Sequence, residues 1–159
     1  MKNEAKFIIS LLFACFSFYK PCLATEDTRI ANQAMHCSAV FSILADAYVV
    51  DPVLSPKFGN GMRIFTEVYA RERQDENVKN STEIDASRRE LIKQILSTLI
   101  SREAYFREDT VLCGAWAEGF WKQGEHVQFI LVYPKVVPMQ VRTQYQTYAD
   151  EAIKIFSKK

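Results

Sequence analysis

The sequence predicts an all-α protein: an antiparallel bundle of four to five helices with one disulfide, preceded by a signal peptide. Three observations predict it. Glycine and proline are sparse, five of each in 159 residues, and sit mostly at segment ends, which favours long helices over a many-stranded sheet. Apolar residues recur at three- and four-residue steps along most of the chain, the period of an amphipathic helix. Two of the four cysteines remain once an N-terminal leader is set aside.

The leader reads "MKNEAKFIISLLFACFSFYKPCLATED". Lys2 and Lys6 supply a positive start, and Phe7 to Phe18 run almost entirely apolar. A membrane-spanning helix needs roughly 20 apolar residues, so this run is too short to span. It has the form of a signal peptide, with cleavage expected after Ala24. A rival lipoprotein reading at Cys15 fits poorly, because the apolar run continues past it. Residues 1–24 are thus expected to be a signal and residues 25–159 a single helical domain, periplasmic or secreted. Removing Lys2, Lys6, Lys20 and Glu4 leaves 17 basic and 18 acidic side chains, a formal charge of −1. Such balance carries no electrostatic footprint for nucleic acid. With no second long apolar run, no membrane contact is expected after cleavage.

Cys37 and Cys113 survive cleavage, and in an oxidising compartment an isolated pair reads as a disulfide. Closing a loop of about 77 residues stabilises by roughly 4.5 kcal/mol in the chain-entropy model.

The first helix is expected in "EDTRIANQAMHCSAVFSILADAYVV", with Asp27 or Thr28 as cap. Ile30, Ala34, Cys37, Phe41, Leu44 and Tyr48 form its stripe. Pro52 ends it by restricting Asp51. Ser55 as cap and Pro56 at the first position mark the second helix, with Met62, Phe65 and Tyr69 in register. The third starts near Ser81 or Thr82 and shows Ile84, Leu91, Ile95 and Leu99. "REAYFRED" is then a connection to a fourth helix over residues 110–122, capped by Asp109. Residues 125–137, "EHVQFILVYPKVV", suit a strand by composition but have no partner strand, so a short buried helix is the preferred reading. The last helix starts at Pro138.

The densest stretch is "CGAWAEGFWKQGEH", residues 113–126. On a helix Cys113, Trp116 and Phe120 fall within about 60° of one another, and Trp121 lies about 80° from Cys113. Trp116 is therefore expected in the core and Trp121 at its edge. Gly114 and Gly119 each cost about 1 kcal/mol in a helix interior, a cost tolerated where another backbone comes close. Trp121, Lys122 and His126 are the expected contact residues for a partner, since aromatic anchors dominate binding surfaces.

Familiar chemistries are missing from the sequence. There is no C-x-x-C-H for haem attachment, no E-x-x-H pair and no H-E-x-x-H, so no metal ligands and no cofactor are assigned. An axial haem pair would have to be built across helices from His36, His126, Met35, Met62 and Met139. No G-x-S-x-G or phosphate loop occurs. Glu67, Glu118 and Asp46 lie near apolar stripes, but their spacing identifies no catalytic pair. The expected function is non-enzymatic: an exported helical protein that binds another protein as inhibitor, immunity or accessory factor. The alternatives are a small-ligand or haem carrier using the bundle interior, and a cell-wall glycoside hydrolase. No catalytic residues are assigned.

Overall fold

The computed structural model of the chain describes residues 26–73, 81–123 and 137–158. The expected signal peptide and residues 124–136, with His126 among them, lie outside the described residues. Five helices and no strand occur among the described residues: α1 Glu26–Ala47, α2 Leu54–Glu72, α3 Ser81–Thr98, α4 Glu103–Gln123 and α5 Met139–Phe156.

Helix α1 is the central element. Its stretch "AVFSIL" is apolar on all sides, the pattern of a helix covered all round. Ala34, Cys37, Val40, Phe41 and Leu44 are fully buried, and α1 packs against all four other helices. Its two interior serines are satisfied. Ser38 Oγ bonds Thr66 Oγ1 at 2.9 Å, and Ser42 Oγ donates to the Ser38 carbonyl at 2.9 Å.

Helix α2 returns alongside α1. Phe41 meets Phe58 at 5.7 Å and Phe65 at 5.5 Å, edge to face in both cases. This geometry suits the quadrupoles of aromatic rings. Gly61 makes it possible, because a Cβ there would collide with the Phe41 ring. The cap of α2 differs from the expected Ser55. Asp51 takes the role: its Oδ1 accepts the Val53 and Leu54 N–H groups, both at 2.8 Å. Ser55 instead points its hydroxyl back to the Ala45 carbonyl.

Helix α4 begins at Glu103, seven residues before its expected start, so "REAYFRED" is largely helical. Glu103 and Arg107 form an i,i+4 ion pair there, and Phe106 is buried. Both features favour helix over a connection. Asp109 is therefore not a cap, and it is used elsewhere.

The expected disulfide is present. Cys37 on α1 and Cys113 on α4 are bonded, with Cα atoms 5.3 Å apart. Helix α5 crosses α4 at Gly114, where the fully buried Tyr145 ring lies on the α4 backbone. Ion pairs Arg107–Asp150 and Arg142–Glu108 join the same two helices.

Candidate functional site

The residues singled out in the sequence divide when placed on α4. Its fully buried face consists of Phe106, Thr110, Val111, Cys113, Gly114 and Ala117. That face is centred about 60° away from Cys113, towards Gly114 and away from Trp116. Trp116 is accordingly half-buried, lying against Phe65 at 6.2 Å, and is not part of the fully buried core. Trp121 is half-buried too. Its ring meets Phe41 at 6.4 Å, and Lys57 Nζ sits 4.8 Å above it. This is a cation–π arrangement, so one face of the indole is already occupied. Lys122 is exposed. Of the two glycines, Gly114 makes the close approach, to a ring and not to a backbone, while nothing comes within 4 Å of a Cβ at Gly119.

Around Trp121 the sequence hid a polar cluster. Lys57 donates to Glu118 Oε1 at 3.0 Å, and the Tyr145 hydroxyl donates to the same oxygen at 3.1 Å. Burial, then the Glu118 charge and hydrogen bond, push the Tyr145 hydroxyl far above its ordinary range. The cluster ties α2, α4 and α5 together. Glu67 is elsewhere, paired with Arg63. Glu67 and Glu118 thus belong to separate ion pairs, with Arg63 and with Lys57. Asp46 is exposed at the end of α1.

A groove between α3 and α4 holds the one described histidine. His36 Nε2 and Asp109 Oδ2 are 3.0 Å apart, with side chains 29% and 38% exposed. The groove encloses about 430 Å³. Leu91, Ile95, Leu99 and Phe106 form its apolar wall, and Arg102 lines it as well. A His–Asp pair orients an imidazole for proton transfer. Thr98 and Tyr105 bring hydroxyls to the groove wall, and Thr98 Oγ1 donates to the Gln94 carbonyl. Among the described residues no group of three His, Cys, Asp or Glu side chains is placed to hold a metal. Of the methionines considered for haem, Met35 is buried in the core and Met139 is exposed at the start of α5.

The feature the sequence did not reveal is the turn joining α1 to α2, "VVDPV". Val49 is 70% exposed, Val50 91% and Val53 70%. Pro52 is exposed as well. The one polar side chain of the turn, Asp51, folds inward to cap α2, so the apolar residues are what the turn presents. The backbone is held by Asp51 N–H to the Tyr48 carbonyl at 2.8 Å and Ser55 N–H to the Asp51 carbonyl at 3.2 Å. The two N–H groups on its carboxylate hold Asp51 below its ordinary range. Tyr48 lies beneath the turn. Burial, then Glu151, Tyr148 and Asp51, raise its hydroxyl to about 12. Val53 stands one helical turn from Lys57, so the valines and Trp121 share one end of the bundle.

The fold and these features define a disulfide-linked protein of five described helices with an apolar tip at one end. No protein-family model matches the chain, and no curated protein or solved structure matches it.

Proposed function

We propose that the chain is an exported, non-enzymatic helical protein that acts by binding another protein, in an inhibitor, immunity or accessory role. The observation that carries this reading is the Val49–Val50–Val53 tip. Three well-exposed valines on a hydrogen-bonded turn leave apolar surface open to water, and contiguous patches of this kind mark interaction sites. The Cys37–Cys113 bond fits an oxidising compartment. Trp121, half-buried under Lys57, lies at the same end and adds an aromatic edge, and Lys122, its neighbour in sequence, is exposed. The test is affinity purification of the exported protein from its own compartment. A single protein recovered at stoichiometric yield supports the reading, and a chain that purifies alone at physiological salt contradicts it.

A second reading is favoured by the α3–α4 groove. Its volume lies in the range of about 300–1,000 Å³ usual for small-ligand sites. Apolar walls with Arg102 nearby suit an aliphatic carboxylate. In the core, Phe41, Phe58, Phe65 and Tyr145 are all fully buried. Titration with a medium-chain fatty acid, read by calorimetry, tests this reading: saturable binding supports it and a flat heat signal contradicts it.

A further inference from the structure

The groove between α3 and α4 is polar at both ends and apolar between them. Helix α3 packs on α1 and stands off from α4, and the groove is the space left between them. Arg102 stands at one end, where the α3–α4 turn leads into α4. Its carbonyl accepts the Phe106 N–H at 3.1 Å, so it is already in helical register. Its guanidinium lies 5.8 Å from the Tyr105 ring and has no ion-pair partner among the described residues. Asp109 stands at the other end, two helical turns further along the same side of α4, about 10 Å of axis. Its Oδ2 is 3.0 Å from His36 Nε2, and its Oδ1 accepts no hydrogen bond among the described residues. Between the two ends lies the buried Phe106. Leu91, Ile95 and Leu99, each one turn from the next on α3, form the other wall.

We infer that the groove takes a medium-chain carboxylate that carries a hydroxyl at its far end. The carboxylate pairs with Arg102, the chain lies between Phe106 and the α3 wall, and the hydroxyl donates to Asp109 Oδ1. This rests on the small-ligand reading of the groove and adds the polarity and direction of the ligand. An unpaired guanidinium beside apolar side chains favours a carboxylate at that end. Carbon–carbon bonds of about 1.5 Å advance an extended chain by roughly 1.3 Å each, so the groove takes about eight to ten carbons. Asp109 decides the far end. A methyl pressed against it would strip water from Oδ1 and return no hydrogen bond, which is costly. A second carboxylate would bring like charge against it. A carboxylate only accepts hydrogen bonds, and a hydroxyl supplies the donor. The groove is separate from the valine tip, because His36 lies roughly 20 Å along α1 from Val49.

The test is calorimetric titration of the full exported chain with 10-hydroxydecanoate, decanoate and decanedioate in turn. Saturable binding of 10-hydroxydecanoate is expected, about tenfold tighter than decanoate, with decanedioate the weakest of the three. Arg102→Gln is expected to weaken 10-hydroxydecanoate and decanoate alike, by about fivefold. Asp109→Ala is expected to abolish the preference for the hydroxyl and to leave decanoate bound at least as tightly. The milder Asp109→Asn keeps the shape and one acceptor oxygen, so it is expected to narrow the preference and to improve decanedioate binding. A thermal midpoint close to that of the wild type shows that each variant is folded. Decanoate binding as tightly as 10-hydroxydecanoate overturns the inference while leaving the small-ligand reading intact. So does decanedioate binding tightest, or an affinity that Arg102→Gln leaves unchanged. The absence of saturable heat with all three acids overturns both.

Discussion

The Tyr145 ring lies directly on the backbone of α4 at Gly114, and a Cβ at that position would overlap three atoms of the ring. The ring is fully buried and holds Glu118 by its hydroxyl, so it has nowhere to retreat. Gly114→Ala is expected to destabilise by about 2 kcal/mol or more, overpacking outweighing the gain in helix propensity. Gly119→Ala, on the same helix with open space around it, is expected to stabilise by about 0.5–1 kcal/mol. Urea unfolding of the two variants checks both signs at once.

Breaking the Cys37–Cys113 bond removes the covalent link between α1 and α4. Cys37→Ser or Cys113→Ser is expected to lower stability by about 2–5 kcal/mol. The check is the unfolding midpoint with and without reductant: reductant should shift the wild type and leave both variants unmoved.

Thr110 is fully buried, and its Oγ1 has no hydrogen-bond partner among the described residues. A desolvated hydroxyl with nothing to bond is costly. Thr110→Val keeps the shape and removes the hydroxyl, so it is expected to raise stability by about 1 kcal/mol. A loss of stability in thermal unfolding would contradict the reading of this site.

Tyr145 and Tyr48 both have folded-state pKa values raised above the unfolded value of 10.0. The unfolded chain therefore loses these protons first. Their contribution is complete below pH 10 and is lost as the pH rises beyond it. Stability is expected to fall above pH 10, by up to about 1.4 kcal/mol per pH unit for the buried Tyr145 and by less for the half-buried Tyr48, which solvent screens. Tyr145→Phe should flatten that slope. Tyrosinate absorbance followed alongside helical circular dichroism would show whether ionisation of the buried ring coincides with unfolding.

The helical class, the disulfide and the start of α3 were legible in the sequence, because period, cysteine parity and a serine before an acidic turn are local signals. The rotation of α4 was not. The sequence draws the eye to Trp116 and Phe120 as the core stripe, whereas the buried face carries Thr110, Gly114 and Ala117. Gly114 is small because the Tyr145 ring of α5 lies against it, and bulk supplied by a partner helix leaves no trace in the period of α4 itself. The early start of α4 was missed for a related reason: Asp109 looks like a cap but bonds His36, a partner 73 positions away. The valine tip was hidden by its proline. "VVDPV" marks a stop, and nothing in a stop says which way its side chains face.

The most direct measurement of the central claim compares the affinity of the co-purifying protein for the wild type and for Val50→Asp. Position 50 is almost fully exposed, so the substitution leaves helix content and thermal stability unchanged. If the tip is the docking element, a carboxylate placed at its apex should weaken binding by about thirtyfold or more, the loss of a hot-spot residue of about 2 kcal/mol. Equal affinity for the two proteins would contradict the account.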